Sequence, residues 1–224
     1  MKILHCNKIW KKLLMLNVLL FFICGESYAA SGLFGSIEFK LGSIEALPKW
    51  RNVLERIENE EALFLSCDTD KRECVSNGLA AWRDFVQDMK MKKGDLKLQL
   101  VNDFINKWPY VEDRQNWNKS DYWASPSEFL DKSGDCEDYA IIKYVTLKEL
   151  GVKSENMRIA VVMDKLRLMY HAVLVVYDDN NQALVMDSLF DAVLPQGDVL
   201  QYTPHYSVNE KARWAHVMPV KRGN

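Results

Sequence analysis

Apolar residues beyond the first thirty positions recur at helical spacing before they recur at strand spacing. Trp50, Val53, Leu54, Ile57, Ala62 and Leu65 mark one face, and Leu79, Trp82, Phe85, Val86 and Met89 mark another, as in amphipathic helices. Gly94 interrupts before a third candidate helix, 96–108, which Pro109 ends. Ser125-Pro126-Ser127-Glu128 has the spacing of a capping box with proline at the first helical position, so a short helix is expected to start there. The period then changes. Segments 158–163, 172–177 and 183–186 are short runs rich in Val, Leu and Ile, and Asp178-Asp179-Asn180-Asn181 supplies turn chemistry between the last two. Helices followed by an antiparallel meander predict an α+β domain.

The amino terminus is patterned differently. Lys2, Lys8, Lys11 and Lys12 precede an apolar run over 13–23, and Ser27-Tyr28-Ala29 offers a small-residue cleavage site, so 1–29 is read as a signal peptide and 30–224 as one domain. The apolar run is shorter than the ~20 residues a spanning helix needs. Ile23 stands where a lipoprotein site takes a small residue, which disfavours Cys24 as a lipid anchor. The expectation is an exported protein.

Composition narrows the function. At 224 residues, 48% hydrophobic and 27% charged, the chain is neither disordered nor fibrous. Its net charge is −2, and removing four lysines and Glu26 with the leader takes this to −5, so no basic excess points to nucleic acid. The same cut leaves three cysteines. Cys67 and Cys74 flank a polar, turn-like stretch that reads as a surface loop and can close as a small disulfide, which makes Cys136 the odd thiol.

Cys136 lies in Ser133-Gly134-Asp135-Cys136-Glu137-Asp138-Tyr139-Ala140, at the expected start of a helix that Gly151 ends. Asp135 is a good N-cap, and a thiol at a helix N-terminus is shifted toward thiolate. Three neighbouring carboxylates oppose that shift. A bound cation would resolve the conflict, because Asp135, Glu137 and Asp138 are hard oxygen ligands of the kind Ca²⁺ takes; otherwise Asp135 only caps and the other two are solvated first-turn acids. A thiol nucleophile also needs a base with an orienting partner. His171 opens the run Ala172-Val173-Leu174-Val175-Val176, and Asp187 follows the next strand, so a hairpin can bring the two together. His171 can equally be a satisfied core histidine and Asp187 a turn residue, and His205 and His216 remain competitors.

These residues also carry a resemblance. Tyr110-Val111-Glu112-Asp113, Asn116-Trp117, Asp121-Tyr122-Trp123-Ala124-Ser125-Pro126, Gly134 through Ala140, His171-Ala172-Val173-Leu174, Leu184-Val185-Met186-Asp187, Val208-Asn209 and Trp214 together resemble the bacterial transglutaminase-like cysteine proteinases of the LapG type. The resemblance implies a papain-like or transglutaminase-like core and a periplasmic, calcium-dependent cysteine endopeptidase. Cys136 would be its nucleophile, His171 its general base, Asp187 the orienter, and Asp135, Glu137 and Asp138 would match calcium positions. It implies as substrate a large surface adhesin cut in its N-terminal region near paired alanines, releasing a biofilm anchor. It implies as regulator an inner-membrane cyclic-di-GMP receptor of the LapD type. Two rivals stand beside it: an acyl-transferring transglutaminase, and a non-catalytic calcium-binding module, which would not need all three of Cys136, His171 and Asp187.

Overall fold

The computed structural model describes residues 32–92 and 96–220; the signal-peptide reading of 1–29 lies outside them. Six helices, α1 (Pro48–Thr69), α2 (Asn77–Lys90), α3 (Lys97–Ile105), α4 (Asp113–Trp117), α5 (Pro126–Lys132) and α6 (Cys136–Glu149), pack on an antiparallel seven-stranded sheet. Its strands are β1 (Ile37–Lys40), β2 (Met157–Asp164), β3 (Met169–Tyr177), β4 (Ala183–Met186), β5 (Leu194–Pro195), β6 (Tyr202–Val208) and β7 (Arg213–Val217), in the order β1-β7-β6-β2-β3-β4-β5. The architecture is α+β.

Each helix starts where its sequence supplies a start. Pro48 occupies the first turn of α1, and Ser76 caps α2 by accepting the Leu79 N–H at 3.0 Å. The capping box at α5 is present with both reciprocal bonds. One difference concerns 68–70. The stretch expected as a surface loop belongs largely to α1, which runs on through Thr69, because Asp68 has a use inside the fold: its carboxylate receives the buried Arg83 guanidinium at 2.6 and 2.9 Å. Cys67 and Cys74 form a disulfide that folds the segment after α1 back onto the helix end.

Helix α6 is the central element. Every residue from Asp138 to Leu147 is buried, so the helix is enclosed on all sides, with Asp138, Lys143 and Thr146 as polar residues among the apolar ones. Trp82 of α2 donates to Thr146 at 2.8 Å, tying the outer helices to it. Gly151, with φ +88°, takes the left-handed conformation just beyond its end.

The sheet is buried on both faces at its centre. Ile159, Leu174, Val176 and Met186 join the core shared with the helices, whereas Ala160, Val162, Val173, Val175 and Val185 form a second cluster with Leu33, Val199 and Tyr202. This explains why β3 reads as an uninterrupted apolar run. β2, β3 and β4 form the expected meander. The chain then returns past it, and β6 pairs with the far side of β2. Pro204 in β6 has no N–H to give the ladder, and the register shifts there, with Val162 opposite Pro204 but Val161 opposite Tyr206. Among the described residues, no helix is long and apolar enough to cross a membrane.

Candidate active site

Cys136 is the first residue of α6. It stands there because of a capping arrangement that the local sequence dictates. Asp135 is the N-cap, and Asp138, three residues on, returns a carboxylate oxygen to the Asp135 N–H at 3.2 Å. The other Asp138 oxygen accepts the Ala124 N–H at 2.6 Å, fixing the loop before α5 against the start of α6. Gly134 is required by the same side chain, since a Cβ at this position would overlap the Asp138 carboxylate.

His171 lies in β3 and Asp187 directly follows β4, so pairing of the two strands brings them together. His171 Nε2 is 2.8 Å from Asp187 Oδ1. Asp187 is fully buried and held from three more directions: the Leu189 N–H reaches Oδ1 at 2.9 Å, the Tyr202 hydroxyl reaches Oδ2 at 2.5 Å, and Lys143 Nζ reaches its carbonyl oxygen at 2.8 Å. Burial alone would raise the Asp187 carboxyl, but the His171, Tyr202 and Leu189 bonds hold it below its ordinary value. It is therefore an anion at neutral pH. With Nε2 committed to Asp187, Nδ1 is the imidazole nitrogen left for other chemistry.

Cys136 and His171 line one cleft of about 370 Å³, together with Tyr110, Glu112, Arg167, Met169, Tyr170 and Leu189. The competing histidines lie elsewhere. His205 is exposed and packs edge-on against Tyr170, and both ring nitrogens of His216 are taken by Ser36 and Ser207 hydroxyls at 2.9 Å.

The electrostatics around the thiol are those the sequence raised as a conflict. Burial, then the charges of Glu137 and Asp135 and a 3.2 Å hydrogen bond to Glu137 Oε2, push the Cys136 thiol well above its usual value, against the Ala172 N–H that favours thiolate. The carboxyls themselves are displaced upward. Asp135 is pushed to about 9 by burial and then by Glu137, while Glu137 rises through burial and the charge of Asp138, and Asp138 through burial and the charges of Asp135 and Asp113. A fourth acid joins them. Asp113, the first residue of α4, is buried, and its carboxylate lies within 4.8 Å of those of Asp135 and Asp138; Asp113 and Asp121 together also approach Glu137. Asp135 Oδ1 and Asp113 Oδ1 are buried without any hydrogen-bond partner, the condition of an oxygen that a hard cation would satisfy. The residues fit such an ion, and each Asp138 oxygen keeps a second lone pair for it.

The sequence profile described as bacterial transglutaminase-like cysteine proteinase (BTLCP) matches residues 61–222. The chain belongs to this family. It is a cysteine protease of the LapG type. Its fold is similar to that of Legionella pneumophila LapG, at 34% identity and a TM-score of 0.58 over 71% of this chain and 87% of that one. Equally similar are a calcium-bound structure of that LapG and an EGTA-treated one, the latter covered over 84% of its length. No curated protein matches the sequence. Within the BTLCP frame, four residues at this site escaped the sequence reading: Asp113, Tyr110, Tyr202 and Lys143. Asp113 and Tyr110 lie within a matching motif, Tyr110-Val111-Glu112-Asp113, but nothing in the spacing assigned them a role. Tyr202 and Lys143 act through contacts across 15 and 44 residues, and Tyr110 stacks on Tyr139.

Proposed function

We propose that the protein is a periplasmic, calcium-dependent cysteine endopeptidase in which Cys136, His171 and Asp187 act as nucleophile, base and orienter. The observation that carries this is the His171–Asp187 hydrogen bond beside a cleft that Cys136 also lines. His171 Nδ1 takes the thiol proton as sulfur attacks a peptide carbonyl carbon, and Asp187 steadies the imidazolium. The imidazolium then protonates the leaving amine as the C–N bond breaks. Water, deprotonated by the same nitrogen, cleaves the thioester and returns the thiol. The Cys136 N–H, at the helix start and within reach of the Tyr110 hydroxyl, is one donor toward the developing oxyanion.

Calcium fits Asp135, Glu137 and Asp138, with Asp113 beside them, and would neutralise the charge that holds the thiol protonated. The calcium-bound and EGTA-treated LapG structures support this reading. The likeness to LapG also supports a large surface adhesin, cut near paired alanines, as the substrate and a LapD-type cyclic-di-GMP receptor as the regulator, with biofilm release as the outcome.

The test is to incubate the protein with the N-terminal region of such an adhesin and to alkylate Cys136 in parallel, each with calcium and with chelator. Cleavage and fast alkylation should both require calcium, and both should collapse in His171→Ala. Cleavage that survives Cys136→Ala overturns the assignment.

A further inference from the structure

The β2–β3 hairpin projects past the cleft on a turn, Lys165-Leu166-Arg167-Leu168, whose shape is fixed from several sides. The Asp164 carboxylate, itself buried, accepts the N–H groups of Leu166 and Arg167 at 2.8 and 3.3 Å, and the Asp164 carbonyl accepts that of Leu168 at 2.8 Å. The Lys165 N–H reaches the Gln201 carbonyl at 3.0 Å, anchoring the turn to the neighbouring strand connection. A turn this well bonded has no need of apolar side chains pointing to water. It nevertheless presents Leu166 at 80% exposure and Leu168 at 82%.

Leu168 is anomalous on a second count. Its φ is +58°, in the left-handed region where glycine or asparagine is favoured and a branched apolar side chain is disfavoured. A leucine that is strained and exposed at once contributes little to the fold, and residues held this way concentrate at functional sites. The turn continues directly into the cleft: Arg167, Met169 and Tyr170 line it together with Cys136 and His171. Its charge is positive. Lys165 and Arg167 alternate with the leucines; Asp164 holds the turn through Oδ1, and its Oδ2 lies 3.9 Å from the Arg167 guanidinium, a loose contact that leaves that half-exposed side chain open to a second carboxylate.

We infer that this hairpin tip is a docking ridge for the substrate polypeptide, on which Leu166 and Leu168 take apolar residues and Lys165 and Arg167 take a carboxylate, to one side of the bond presented to Cys136. The inference rests on the proteolytic reading above. Continuity with the cleft selects the substrate chain as occupant, and the two cations select an acidic-apolar segment of it.

The test replaces Leu166 by Ser and Leu168 by Asn, the latter a residue at ease in the left-handed region, so the fold is retained. In a Cys136→Ala background, the affinity for the labelled N-terminal region of a surface adhesin, read by fluorescence anisotropy, should fall about tenfold. With Cys136 intact, alkylation of the thiol and cleavage of a short quenched peptide spanning paired alanines should not change, while KM for the long polypeptide rises at constant kcat. Equal affinity with and without the two substitutions, or no binding by the parent, overturns the ridge. Binding that depends on the hairpin while the wild type fails to cut overturns the proteolytic assignment and leaves the ridge standing. A self-associating parent that the substitutions turn into a monomer would assign the leucines to a second copy of the chain and likewise overturn it.

Discussion

Lys143 Nζ donates to the Asp187 carbonyl oxygen from a position with no solvent exposure. Lys143 lies seven residues after Cys136 on α6, two helical turns along the same side, so one rigid helix carries the thiol at its start and a strut under Asp187 further down. Burial pulls the ammonium down to about 7, with Asp187 and Asp191 opposing. The folded protein thus binds fewer protons than the unfolded chain between about pH 7 and 10, and this residue's contribution to stability improves as pH rises through that window. Lys143→Met should be stabilising at pH 6, where the wild type carries the full cost of a buried charge, and destabilising by about 1 kcal/mol only at about pH 11, where the amine is neutral in the folded and unfolded chains alike and only a hydrogen bond is lost. Urea unfolding at the two pH values checks the change of sign.

Tyr202 orients Asp187 from the side opposite His171. Tyr202→Phe should cost about 1–2 kcal/mol in unfolding free energy. It should lower kcat about tenfold at constant KM, since the hydroxyl touches only the orienting carboxylate. A raised KM with unchanged kcat would show that Tyr202 faces substrate instead.

The acids around Cys136 separate into two behaviours. Asp135 has a buried oxygen without a partner and suffers like-charge repulsion, so Asp135→Asn should raise the melting temperature in chelator while shrinking the gain on adding calcium. Asp138 holds two backbone N–H groups, so Asp138→Ala should cost roughly 2 kcal/mol or more even in chelator. Calorimetric scans with and without calcium distinguish the two.

The Cys67–Cys74 bridge closes a short loop at the end of α1. Opening it with Cys67→Ser and Cys74→Ser together should cost about 2 kcal/mol by loop-closure entropy. Activity should remain, because Cys136 is the free thiol among the described residues.

Much of this was legible along the chain because the signals were local. The caps at Ser125 and Asp135, the strand runs and the turn after Tyr177 each lie within a few residues of what they determine. The His171–Asp187 pairing was legible because a single hairpin links them. Illegible were β1, β6 and β7, whose strands are short or half-exposed and carry weak alternation, with Pro204 interrupting the longest. Nor could spacing show that Asp113 reaches Asp135, or that Tyr202 and Lys143 converge on Asp187, since tertiary packing alone makes those neighbours. The end of α1 reads as a loop because Asp68 and Thr69 are polar, but Asp68 serves Arg83 and the Thr69 hydroxyl donates back to the Leu65 carbonyl.

β1 pairs with β7, setting Ile37 opposite Val217 and Lys40 opposite Trp214, so the first strand to be synthesised finds its partner in the last. Until residues 213–217 exist, β1 has no strand partner on either edge. Sheets closed by such distant partners form slowly and leave bonding groups free in the meantime. Maturation is therefore a point of vulnerability separate from catalysis. A strand-forming peptide copied from 213–217 that reached β1 first would arrest the protein before closure, without resembling anything it cuts.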